Sequence, residues 1–304
     1  MCIPHARFNT ILILVVNFGL YLVTSIYSMR SGDGGAMEID SRTLVELGAK
    51  YAPLIEMGQW WRLVTAGFLH GGLFHLLINS WLLYDLGTQV EGAYGASRMW
   101  VIYLVSGVFG FSVSAVWNPV APSVGASPAL CGLTGAMVVL WARHRSARGL
   151  ALARAAVYGL LFLLCFTLAT SVLGALGYYV STGAGASSSA GGVWALVLWL
   201  TGAAIMVWAS HSGALGPTML SAILNLALVR VAIYGALFLL PWPGVDTAGH
   251  VGGTVAGLGV AYLADAAGNE GPVRERAWRA ASRLCILVVA VSFLAMFLAL
   301  SRAA

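Results

Sequence analysis

Ser127, His250, His75 and Asn79 are polar residues set in otherwise apolar stretches, and together they are the parts of an acyl-transfer centre. A serine hydroxyl is a weak nucleophile until a base takes its proton, and an imidazole is the side chain suited to that task near neutral pH. Attack on a carbonyl then builds negative charge on oxygen, which preorganised donors must stabilise. Ser127 lies in VGASPALCGLTGA, between a glycine-containing loop and an apolar run, so its amide is expected at a helix N-terminus. His75 and Asn79, four residues apart in FLHGGLFHLLIN, share one helix face and carry side-chain donors. His250 opens DTAGHVGGTVAGLG, whose Gly253 and Gly257 form a small-residue face for close helix approach. Each feature also has a plainer reading. His75 and Asn79 serve equally as interhelical hydrogen-bonding groups. Ser127 reads as an N-cap before Pro128, and the glycines as packing.

The elements that must position these residues are membrane spans. Of 304 residues, 60% are apolar and 9% charged, against roughly 25% charged in a soluble domain. That balance excludes a cytosolic enzyme, a secreted disulfide domain and a disordered scaffold. Apolar runs near 20 residues long occur at about 10–28, 98–117, 152–176, 219–240 and 282–300. Less uniform runs lie at about 66–88, 124–142 and 246–266, with a shorter one at about 193–210. The expectation is an all-α polytopic membrane bundle of about nine spans, with seven as the alternative if part of 152–240 does not cross. Cys2, Cys131, Cys165 and Cys285 show no metal-ligand spacing, and neither a metal nor a cofactor is called for.

Charge orients the spans. Arg143, Arg145, Arg148 and Arg154 cluster at one joint, and Arg274, Arg276, Arg279 and Arg283 at another, whereas 118–123, 181–192 and 241–245 carry no charge. Basic joints mark the cytoplasmic side. Nine spans put both joints and Arg7 on that side, and spans two, four and eight then all run inward from the outer face. His70, His75, Ser127 and His250 are thereby expected at one depth in the outer leaflet. No basic patch is interleaved with aromatics on a polar face, so nucleic acid is not an expected partner.

At these residues the sequence resembles the rhomboid family of intramembrane serine proteases. The likeness runs from Trp61 to Trp141 and resumes at Asp246 to Gly257. The family's Trp-Arg pair is matched by Trp61–Arg62, its H-x(4)-H-x(3)-N pattern by His70, His75 and Asn79, and its L-G-x(3)-E-x(3)-G turn by Leu86, Gly87, Glu91 and Gly95. The G-x-S motif is matched by Gly125, Ala126 and Ser127, and A-H-x-G-G by His250, Gly252 and Gly253, with Gly249 in place of alanine. The resemblance implies a Ser127–His250 dyad, an oxyanion hole lined by His75 and Asn79, and a polar cavity supported by His70. It implies transmembrane helices of other proteins as substrates within the lipid bilayer, cut near the outer face. It also implies a single membrane domain over 1–304, with core motifs in 61–142 and 246–266. On that frame the spans within 152–240 include insertions, and 282–300 is an extra C-terminal span on a six-helix core.

Departures from the family pattern are Pro128, where glycine usually follows the serine, and Cys131, where an aromatic is common. A further departure is the 122 residues between Ser127 and His250. Proline suits a first helical turn but removes a backbone donor near the oxyanion. This leaves a rival reading, an inactive rhomboid-like protein that binds transmembrane clients. A histidine proton relay in a transporter is a weaker rival, because the inner halves of spans two, four and eight are apolar. MCIPHAR lacks the Arg- and Ser-rich pattern of a mitochondrial leader, which favours the plasma membrane or secretory pathway.

Overall fold

The computed structural model describes residues 8–31, 35, 37–143, 245–264 and 271–303. The chain divides into two compact units, Met1–Leu140 with Ala248–Ala304, and Trp141–Thr247. Nearly all described residues belong to the first unit. The expected spans at 152–176, 193–210 and 219–240, with Arg230, lie outside the described residues.

Within the described residues every regular element is helical. Long helices are α1 (Phe8–Ser31), α5 (Leu73–Tyr94), α6 (Ala96–Trp117), α7 (Ser127–Arg143), α8 (Thr247–Leu263) and α9 (Pro272–Ala303). Between α1 and α5 come the short α2 (Ser41–Glu46), α3 (Ala52–Glu56) and α4 (Arg62–Thr65). This is an all-α helical bundle. Of the long helices, α1, α6 and α9 are long and apolar enough to cross a membrane. The expected span at 66–88 becomes helical only from Leu73. Residues 66–72 instead form a loop, in which Gly71 accepts from the Ile39 amide and Gly72 bridges to Glu38. Hydropathy reports burial, and Ala66, Phe68 and Leu69 are buried without being helical. At the other end, α9 begins ten residues before the expected 282, with Pro272 at its first position, where a missing N–H is harmless.

The Leu86–Gly95 motif has a clear structural purpose. Gly87 lies against Thr10 of α1, and a Cβ there would sit 2.9 Å from the threonine side chain. One turn on, the buried Glu91 carboxylate accepts from the Asn9 amide at 3.1 Å, the Thr10 amide at 3.0 Å and the Thr10 hydroxyl at 2.7 Å. It thus satisfies orphan donors of α1 and complements the positive end of that helix. Gly95 then turns the chain into α6 with φ +84°, a region that disfavours side chains. Beside it, buried Arg98 pairs with Glu275 of α9 through Nη2–Oε1 at 2.6 Å and Nη1–Oε2 at 3.3 Å, and its guanidinium lies 5.7 Å from the Trp278 ring centre. These contacts gather the starts of α1, α6 and α9 with the end of α5 at one end of the unit.

Candidate functional site

At the opposite end, the first turns of α5, α7 and α8 converge. Helices α7 and α8 touch backbone to backbone. A Cβ on Gly253 would overlap the Pro128 carbonyl, and one on Gly257 would overlap the Gly132 backbone. On the other helix, a Cβ at Gly135 would lie 2.9 Å from the Thr254 carbonyl oxygen. Only glycine permits that spacing, so the small-residue faces expected from sequence do meet. Behind α7, Gly132 admits Ser106 of α6.

This close seam brings Ser127, the first residue of α7, to His250, one turn into α8. The His250 Nε2 and Ser127 Oγ are 2.7 Å apart across 123 positions of sequence. Both are buried, with Ser127 8% and His250 3% exposed. A hydrogen bond of this length suits transfer of the hydroxyl proton to the ring.

His75 and Asn79 face the same turn. Gly125 has φ +120°, and a Cβ there would lie 2.7 Å from His75 Nε2 and 3.8 Å from Asn79 Nδ2. Glycine is therefore required both for the turn and for the imidazole against it. The Asn79 amide donates to the His75 carbonyl at 3.0 Å, and its buried Oδ1 has no hydrogen-bond partner among the described residues. His70 packs edge-on to His75, ring centres 5.2 Å apart, and is buried. All five expected site residues thus lie at one end of the bundle. Cys131, one turn below Ser127, is buried in the helix interior.

The loop that delivers Ser127 is held from the region between α1 and α5, in part by Lys50, which sequence reasoning passed over. Lys50 pairs its backbone with Ser123 in an antiparallel bridge, and its buried ammonium donates to the carbonyls of Asn118 at 3.0 Å and Ala121 at 2.8 Å. The Gly125 amide donates to the Ala66 carbonyl at 2.9 Å. Arg62 fixes the same region from below, donating to the carbonyls of Val45 at 2.6 Å and Ala49 at 2.9 Å and to the Gln59 side chain at 2.7 Å. Burial pushes the Arg62 guanidinium down to about 10, so it remains charged at neutral pH. The available signal was that Lys50 is the sole lysine of the chain.

Comparison with known proteins gives a family likeness over part of the chain. Residues 57–164 match the family model described as Rhomboid domain. The chain is 43% identical over 106 residues to the Rhomboid protease GluP of Bacillus subtilis, covering 35% of this chain and 21% of that protein. It is 34% identical over 135 residues to the Rhomboid-like protease 3 of Toxoplasma gondii, covering 43% of this chain and 49% of the relative. A third relative, the RHOMBOID-like protein 6, mitochondrial, of Arabidopsis thaliana, is 41% identical over 99 residues, 32% of each chain. The matched stretch spans half or less of the length of each of these relatives. Over residues 57–164 the chain is thus similar to the rhomboid family, and the motifs from Trp61 to Ser127 stand in order within that stretch.

Proposed function

We propose that this protein is an intramembrane serine endopeptidase that cuts transmembrane helices of other membrane proteins near the non-cytoplasmic face. The observation that carries the reading is the 2.7 Å approach of His250 Nε2 to Ser127 Oγ in a buried setting. In the first step the hydroxyl proton passes to Nε2 as Oγ bonds to the scissile carbonyl carbon, and the carbonyl π pair moves onto oxygen. The Ser127 amide, with side-chain donors of His75 and Asn79, would hold that oxyanion, while Pro128 has no N–H to add. Collapse expels the amine, which takes the proton from the imidazolium and leaves an acyl-serine. Water then attacks the acyl carbon while His250 takes its proton, and a second collapse releases the acid and restores Ser127. A substrate helix must unwind locally, because a hydrogen-bonded helix in lipid presents no accessible carbonyl. Small or helix-breaking residues near the cut site follow from that requirement.

The test uses the full chain in liposomes with a transmembrane substrate bearing small residues near its outer end, together with fluorophosphonate labelling. Wild type is expected to yield product and carry the label on Ser127, and Ser127→Ala and His250→Ala to do neither. Equal product from wild type and Ser127→Ala would sink the dyad. A second reading, client binding without cleavage, rests on the donor missing at Pro128. It predicts that wild type binds the substrate helix but gives neither product nor label.

A further inference from the structure

The basic end of α9 carries an arrangement that proteolysis does not use. The 32 residues of α9 would extend about 48 Å as a helix, whereas the hydrocarbon core of a bilayer is about 30 Å thick. About a dozen residues must therefore stand outside the hydrocarbon. Leu284–Leu300 holds no charge, which assigns most of the excess to the first three turns, Pro272–Arg283. That stretch contains Arg274, Arg276, Arg279 and Arg283, all exposed.

Three of them share a face. Arg276, Arg279 and Arg283 follow the i, i+3, i+7 spacing, and the same stripe continues through Leu287 and Leu294, each 57% exposed. The arginines are thus in line with apolar side chains that no helix of the described unit covers. The sides of α9 beside and behind the stripe are already engaged. Glu275, the one acid of α9, is taken by Arg98, and Arg274 donates to the Leu263 carbonyl of α8 at 2.8 Å. The stripe is left with positive charge that no acid of its own helix offsets, at the level where hydrocarbon gives way to headgroups.

We infer that Arg276, Arg279 and Arg283 form a binding site for anionic phospholipid headgroups in the leaflet at the basic end of the bundle. Guanidinium groups suit this role because they pair with phosphate in a forked geometry while their stems lie along acyl chains. The Arg98–Glu275 pair and Trp278 fix the stripe to the bundle, so the site is preformed.

The full chain is placed in nanodiscs of equal phosphatidylcholine and phosphatidylglycerol, and spin-labelled versions of each lipid report the motionally restricted fraction. Wild type is expected to prefer phosphatidylglycerol by at least about fivefold, with the preference shrinking as salt is raised. Arg276→Gln/Arg279→Gln/Arg283→Gln is expected to bring the ratio to about one without moving the thermal midpoint. The single substitutions should lower it in steps and keep the test open if the triple variant folds poorly. Arg302→Gln, at the other end of α9, is expected to leave the ratio unchanged. No preference in wild type, or the same preference in the stripe variants, overturns the proposal and leaves the stripe to an acidic protein partner.

Discussion

The two ends of the described unit handle buried polar atoms in opposite ways. At the basic end they close on one another: Glu91 accepts three hydrogen bonds from α1, and the terminal nitrogens of Arg98 both meet Glu275. At the site end, acceptor capacity is left open on Asn79 Oδ1 among the described residues. An unmet buried polar atom costs stability, so a fold keeps one where something else is to bind. The contrast teaches that membrane depth alone does not mark a functional polar residue. Glu91 is as buried as Asn79, yet its hydrogen bonds are spent on the fold.

That contrast can be broken by a double dissociation, in which site-end changes alter activity without stability and basic-end changes do the reverse. Ser127→Ala should have the largest effect, reducing product by at least about 10³-fold in the liposome assay while the melting midpoint holds. Next, Asn79→Ala should lower turnover by about 10²–10³-fold, the usual consequence of losing one oxyanion donor. Its thermal midpoint should stay near wild type; a large fall would make Asn79 a fold residue and erase the distinction. At the other end, Glu91→Ala should cost about 1.5–3 kcal/mol of stability by stranding the amide donors of α1. Turnover per folded molecule should be unchanged, as checked by active-site titration.

The smallest effect concerns pH and sharpens the comparison outside the spans. Asp40 caps α2, and its hydrogen bonds from the Thr43 side chain and amide hold its carboxyl below the usual range. A depressed folded-state value means that its stabilisation is complete above the unfolded value and is lost as pH falls through the folded one. Acid melting curves of Asp40→Asn should therefore be flatter than wild type below about pH 4. An identical slope in the two proteins would remove Asp40 from the account.

Much of this was legible in the sequence because it depends on local chemistry. The runs at 10–28, 98–117 and 124–142 became α1, α6 and α7, and the glycine spacing in Gly253–Gly257 gave a face that does pack on α7. Span parity led to the expectation that Ser127, His250, His75 and His70 lie at one depth, and these residues do share one end of the bundle, although three of the spans in that count lie outside the described residues. What could not be read depends on distant partners. Arg98 meets Glu275 across 177 positions, and Lys50 meets the carbonyls of Asn118 and Ala121, which carry no side-chain signature. The loop at 66–72 escaped for a different reason. Its apolar residues are buried inside the bundle, Phe68 against Tyr103 of α6 and Phe293 of α9, and hydropathy does not separate that from burial in lipid.

The glycine seam between α7 and α8 has a consequence for how the chain can vary. Lengthening a connection is thermodynamically mild, with each doubling of a flexible loop adding only about 0.6 kcal/mol. A methyl group forced onto Gly253, by contrast, would push two backbones apart, and overpacking of that kind costs about 1–3 kcal/mol. Insertion between the serine and the histidine is therefore cheap, while the contact that closes the circuit is not. Distance along the chain is thus loosely constrained here, and distance between the two helix axes is tightly constrained.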